Sequence, residues 1–229
     1  MFPLRDHNPT RVTPLVTRSL IAINLAVFVF ELSLGPRLRG FYGAFALVPG
    51  QLTNAAHGGA PLAPVALTLL TSMFLHGGWT HVIGNMWYLW IFGDNIEDRF
   101  GHARFLLFYV VAGAFAGVLH TLTNPASSLP TVGASGAIAG VLGAYAAAFP
   151  RTRVSTLLPL FPFFQVVELP ALLVLGFWFL MQFASGTLAL AAGLSGGVAW
   201  WAHIGGFAFG FAVLRAAGRG TLFRPARMV

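Results

Sequence analysis

Four side chains in this sequence have the types and the spacing for hydrolytic chemistry: Ser135, His203, His81 and Asn85. Ser135 stands between Gly133 and Gly136 in TVGASGAIAGVLGAY, residues 131–145. A serine hydroxyl is a weak nucleophile until a base within hydrogen-bond reach takes its proton. His203 is the candidate base, because an imidazole with a reference pKa of about 6.5 accepts and returns protons near neutrality. The oxyanion of an acyl-transfer intermediate needs preorganised donors, and the Asn85 amide, the His81 ring and the backbone N–H of Ser135 are available to supply them. A plainer reading stands beside this one. A small residue among glycines and alanines lets two membrane helices approach, a histidine in an apolar segment can be a satisfied packing group, and Asn85 can simply bond a neighbouring helix.

Whether the four meet depends on the elements that carry them. Of 229 residues 57% are apolar and only 8% charged, whereas a soluble domain carries about a quarter charged residues, so the chain reads as an all-α polytopic membrane protein. The 27 glycines and 22 phenylalanines suit helices that pack through small residues and turn aromatics to lipid. A net charge of +7, with all 13 basic residues arginine, would also suit nucleic acid. The arginines, however, sit in short segments between apolar runs, which assigns them to membrane topology and not to a nucleic-acid partner.

Residues 1–17 read as an irregular cytoplasmic arm, because Pro3, Pro9 and Pro14 deny a helix its donors. The start MFPLRDHNPTRVTP lacks the apolar core of a cleaved signal peptide. A first span covers residues 18–34 and is stopped by Gly35 and Pro36. Residues 35–79 form a long connection whose apolar piece LAPVALTLLTSMFL is too short to cross the roughly 30 Å hydrocarbon layer and is expected to lie in the interface. The second span covers 80–99, with Gly101 as helix stop and Glu97 as a cap or packing group. No Asp, Glu, Lys or Arg occurs from 105 to 150, room for two spans with a turn at NPASSLP, residues 124–130. A fifth span is placed at 166–184, a small-residue turn at 186–197 and a sixth span at 198–215, so the membrane domain is 18–215 and residues 216–229 form a cytoplasmic tail.

With six spans and a cytoplasmic N-terminus, eleven of the 13 arginines fall at the inner side and only Arg37 and Arg39 outside. The positive-inside rule therefore puts both termini in the cytoplasm. Helical rise then brings Ser135, His203, His81 and Asn85 to similar depth on the outer side of the membrane core. His81 and Asn85, one turn apart, share a helix face. Polar groups at membrane depth are costly and are found facing one another or a wet cavity, and their convergence weighs against four separate packing accidents. Glycines 133, 136 and 140 on one helix and 205, 206 and 210 on the other would let the two backbones come close. The six acids are Asp6, Glu31, Asp94, Glu97, Asp98 and Glu168. Only Glu31 is a candidate to orient His203, so a Ser-His dyad is favoured over a triad. There is no cysteine, hence no thiol nucleophile or thiolate metal site. His76 and His81 lack the H-E-x-x-H spacing of a zinc enzyme, and no metal or cofactor is expected.

The segments PLRDHNPT, TSMFLHGGWTHVIGNMWYLWIFGDNIEDRFG, GASGAIAG and AHIGGFAFG together resemble the rhomboid family of intramembrane serine proteases over nearly the whole chain. The resemblance implies a six-transmembrane-helix rhomboid bundle with a long interfacial first loop, Ser135 as nucleophile, His203 as general base, and His81 and Asn85 as oxyanion stabilisers. It implies a water-filled cavity open to the outer side, a fifth helix acting as lateral gate, and single-span or polytopic membrane proteins in the lipid bilayer as substrates. A bacterial inner membrane is the expected location, and His76 matches a position read as structural. Many members carry an aromatic residue four positions after the nucleophile that buttresses the histidine; here it is Ala139, leaving Trp200 or Trp201 as substitutes. The competing reading is a catalytically weak relative that binds membrane segments. A transporter would leave the serine and histidine without a role and would show internal repeats.

Overall fold

The computed structural model describes residues 1–160, 163–192 and 198–217. The chain is mostly helical. Strand β1 (Phe2–Asp6) precedes helix α1 (Leu15–Ser33), and the connection that follows folds into three short helices, α2 (Leu38–Phe45), α3 (Pro49–Ala56) and α4 (Leu62–Thr71). Helices α5 (Trp79–Phe100), α6 (His102–Thr123) and α7 (Ser135–Ala148) come next, then strands β2 (Arg153–Leu160) and β3 (Phe163–Pro170), and finally α8 (Ala171–Ala191) and α9 (Trp200–Ala217).

Three helical segments, α1, α6 and Ala171–Ala189 of α8, are long and apolar enough to cross a membrane; α5 makes a fourth if it is joined to the segment Leu62–Phe74, from which it is bent by 82°. Their outward faces are apolar as well: Leu107 and Leu122 on α6 are 64% and 70% exposed. In water such a surface would be costly; against hydrocarbon it is the expected one.

An antiparallel sheet in the order β1-β2-β3 corrects the expectation of an all-helical chain. It also corrects the arm at 1–17, whose first residues pair with β2, Phe2 opposite Leu157 and Asp6 opposite Val154. Pro3 leaves its carbonyl to the Trp87 indole of α5, at 2.8 Å, and Phe2 stacks on the same ring. The expected fifth span at 166–184 starts too early. The β-branched pair Val166 and Val167 is extended opposite Leu157 and Thr156, and Pro170, unable to donate, closes the strand before α8 begins. Ala171 N–H donates to the Thr152 carbonyl (2.8 Å) and Leu172 N–H to that of Pro150 (3.1 Å), so α8 starts where the hairpin started. The expected turn at 186–197 is helical through Ala191; positions 193–197, and 218–229 of the expected tail, lie outside the described residues.

Two sequence signals act as read. Gly101 adopts φ +77°, a conformation that an L side chain resists, and its N–H donates to the Glu97 carbonyl, so α5 ends there and α6 begins. Glu97 is buried and accepts from the backbone N–H groups of Val16 (2.8 Å) and Thr17 (2.7 Å), the unsatisfied donors at the start of α1. His102 donates to the same carboxylate at 2.5 Å.

Helix α7 is the hub, with every residue from Gly136 to Ala146 buried. Its small side chains let α9 approach until main chain meets main chain. A Cβ on Gly206 would overlap the Gly136 carbonyl oxygen, one on Gly210 that of Gly140, and one on Gly143 that of Phe207. Gly136 and Gly140 face Ala116 and Ala112 of α6, with about 2.7 Å left for a Cβ. Gly205, expected to join the α7 contact, instead faces Leu119 of α6. At 14 residues α7 is about 21 Å long, too short to cross the hydrocarbon alone.

Candidate active site

Ser135 is the first residue of α7, delivered there by an extended segment that is pinned on both sides. Thr131 and Leu47 exchange backbone hydrogen bonds (2.7 and 3.1 Å), and Gly133 N–H donates to the Ser72 carbonyl at 2.9 Å. Gly133 adopts φ +124°, and a Cβ there would stand 2.6 Å from His81 Nε2 and 3.6 Å from Asn85 Nδ2. Only glycine therefore lets this backbone pass so close to the two side chains from α5.

The glycine contact between α7 and α9 brings the candidate pair together. Ser135 Oγ lies 2.7 Å from His203 Nε2, within hydrogen-bond reach. His203 Nδ1 lies 2.7 Å from Gln182 Oε1 on α8. An amide oxygen only accepts, so Nδ1 carries the proton and the Nε2 lone pair faces the serine hydroxyl. The Trp178 ring lies against the imidazole, centroids 5.9 Å apart and planes at 35°, and Trp200 meets it edge-on at 6.3 Å and 88°. Trp201 packs on Phe183 instead.

Asn85 is held from behind. Its Nδ2 donates to His76 Nε2 at 3.0 Å, which fixes His76 with its proton on Nδ1. His76 is itself buried, its backbone N–H donating to both oxygens of Glu31 (3.1 and 3.3 Å) and its backbone carbonyl accepting from the Tyr42 hydroxyl at 2.9 Å. Glu31 is thus committed to the backbone of His76, not to His203. A cavity of about 750 Å³ opens over these groups, lined among others by His81, Asn85, Ser135, Trp178, Gln182 and His203. Among the described residues no three His, Cys, Asp or Glu side chains cluster as a metal site.

The geometry is that of a hydroxyl, a base that can take its proton, and side-chain donors lining one cavity. A family profile described as the Rhomboid domain matches residues 64–219, a stretch that contains all of them. The chain belongs to the rhomboid family. This rhomboid is similar to RHOMBOID-like protein 1 of Arabidopsis thaliana, 31% identical over 219 residues, which cover 86% of this chain and 52% of that protein. The putative rhomboid protease YdcA of Bacillus subtilis is 39% identical over 77 residues (34% of this chain, 38% of that protein). Rhomboid protease GluP of the same organism is 42% identical over 76 residues (33% and 14%). The chain spans about half, or less, of the length of the curated relatives it matches first. With its apolar helices, this rhomboid is an integral membrane protein, and its family includes proteases by name.

All four side chains singled out by type and spacing in this rhomboid line the one cavity. Sequence reasoning missed Gln182 and Trp178, whose relation to His203 depends on how α8 is rotated against α9. It also passed over His120 on α6, which lines the same cavity and bonds the Thr131 hydroxyl at 3.1 Å. The available signal there was a titratable residue near the end of an apolar helix.

Proposed function

We propose that this chain is an intramembrane serine endopeptidase that cleaves transmembrane-helix substrates through a Ser135–His203 dyad. The observation that carries the reading is the 2.7 Å contact between Ser135 Oγ and His203 Nε2, both of which line the cavity. In the reaction Ser135 Oγ attacks the scissile carbonyl carbon while its proton passes to His203 Nε2. The oxyanion is received by donors from the His81 ring, the Asn85 amide and the backbone N–H of Ser135, which stands at the free N-terminal end of α7. His203 then returns the proton to the leaving amine, and water, activated by the same base, hydrolyses the acyl-serine.

The membrane arrangement that suits this chemistry has six helices in the membrane, α1, α5, α6, α7, α8 and α9, of which the short α7 is enclosed by the others, with α2 to α4 in the outer interface. Both termini would face the cytoplasm of a bacterial inner membrane, as the arginine asymmetry favours. Single-span or polytopic membrane proteins are the substrates that a cavity among such helices would receive.

The test is cleavage of a single-span reporter by the detergent-purified protein beside its Ser135→Ala and His203→Ala variants. Wild-type cleavage with both variants silent is expected, together with labelling of Ser135 by a serine-directed phosphonate. Cleavage that survives in either variant rejects the dyad.

A further inference from the structure

In this chain the base is held by a helix other than the one that carries the nucleophile. Position 139, one turn after Ser135 on α7, offers only a buried methyl group, and a Cβ on Gly206 would stand 3.2 Å from it. The close approach of α7 and α9 leaves no room there for a ring. Trp178 and Gln182 are one turn apart on α8 and so project from one face of it. One lies against the imidazole face of His203 and the other accepts from its Nδ1. Trp178 is itself backed by Phe207, centroids 6.1 Å apart.

We propose that Trp178 and Gln182 are the positioning residues of His203, Gln182 by fixing the proton on Nδ1 and Trp178 by holding the ring plane. The inference rests on the reading of Ser135 and His203 as the catalytic pair. Without Gln182 the imidazole is free to carry its proton on Nε2, the tautomer that cannot take the serine proton. When the serine proton arrives on Nε2, the imidazolium keeps its Nδ1–H bond to the amide oxygen. The amide never takes the proton, so it supports the cation as a dipole, where the acid of a Ser-His-Asp triad supports it with a full charge. The other titratable groups that line the cavity with His203 are the imidazoles of His81 and His120 and the Tyr88 phenol; among the described residues no carboxylate lines it.

The experiment measures kcat and KM separately for Gln182→Met, Gln182→Asn and Gln182→Glu, with melting in detergent as the check on folding and Ser135→Ala in parallel. Gln182→Met matches the length without a good acceptor, and Gln182→Asn keeps an amide one methylene short of Nδ1. Both are expected to lose about tenfold or more in kcat with KM changed less than about twofold. Gln182→Glu, which keeps the acceptor and adds charge, is expected to recover kcat and to move the acid limb of its pH profile to higher pH, a change that lost packing would not produce. Trp178→Leu is expected to lower kcat where Trp178→Phe retains most of it. Wild-type kcat in either Gln182→Met or Gln182→Asn, or a Glu variant as slow as Met with an unmoved profile, overturns the assignment while a silent Ser135→Ala leaves the dyad standing. Cleavage by Ser135→Ala rejects the dyad itself, and the positioning role with it.

Discussion

The hydroxyl of Tyr145, on α7, donates to Oδ2 of Asp6, on β1, across 2.6 Å, and Asn95 on α5 donates to the same oxygen at 3.0 Å. The first strand is thereby tied to the hub helix. Burial is the larger influence on the Asp6 carboxyl and raises it above its ordinary 3.8, against the lowering by the Tyr145 bond. The folded chain therefore holds this proton at pH values where the unfolded chain releases it. The group's contribution falls as pH rises from about 3.8 through the raised folded value and stays at its floor above it. Asp6→Asn, which keeps an acceptor oxygen for Tyr145, is expected to melt higher than wild type at pH 7, with the gap closing towards pH 4. A gap that does not change with pH would refute the assignment.

Glu97 stabilises the start of α1 from the far end of α5. Glu97→Ala strands the Val16 and Thr17 N–H groups, which the carboxylate now receives at 2.8 and 2.7 Å. At about 1–3 kcal/mol for each donor left unsatisfied, the loss is expected to be on the order of 3 kcal/mol. Chemical unfolding in detergent measures it. Phosphonate labelling of Ser135 at temperatures where the variant is folded should be nearly normal, because the site is built at the opposite end of α5.

Gly206→Ala tests the contact between α7 and α9. Alanine gains about 1 kcal/mol of helix propensity over glycine, but its methyl would overlap the Gly136 carbonyl oxygen, which moves only if the helix moves. Overpacking of this kind costs about 1–3 kcal/mol, so a net loss of stability is expected. Cleavage should fall further than stability does, because Gly136 adjoins Ser135. A variant as stable and active as wild type would mean that the helices are not in contact there.

On the proposed mechanism His76, whose ring also meets that of His81 edge-on at 5.2 Å, acts by holding the Asn85 amide. His76→Leu and Asn85→Ala are each expected to lower kcat, and the double variant to be little worse than Asn85→Ala alone, since the first frees the amide that the second removes from the proposed oxyanion site. Additive losses in the kinetic cycle would give the two residues separate roles.

What was legible in the sequence follows from what hydropathy and punctuation can encode. The charged run ending at Arg99, the positive-φ Gly101 and the turn 124–130 mark helix ends, and the helices end there. Ser135, His203, His81 and Asn85 were legible because each is a polar group in an apolar context, and only a shared cavity accommodates all four. The paired strands were not, because LLPL (157–160) and FFQVV (163–167) are apolar enough to read as the start of a span. Their β-branched residues and prolines were the weaker, correct signal. Gln182 was invisible for a different reason. A polar residue in α8, where Ser185 and Thr187 also stand, becomes meaningful only once the helix is rotated against His203, and nothing local in the sequence sets that rotation.

The seam in which Gly206 meets Gly136 and Gly210 meets Gly140 divides the site by how it could vary. The spacing of serine and histidine is set by main-chain atoms, which no exchange of side chains elsewhere alters. The orientation of the histidine is entrusted to side chains of another helix. Across related sequences, then, the spacing should be nearly invariant, while the means of steadying the ring should be solved more than once.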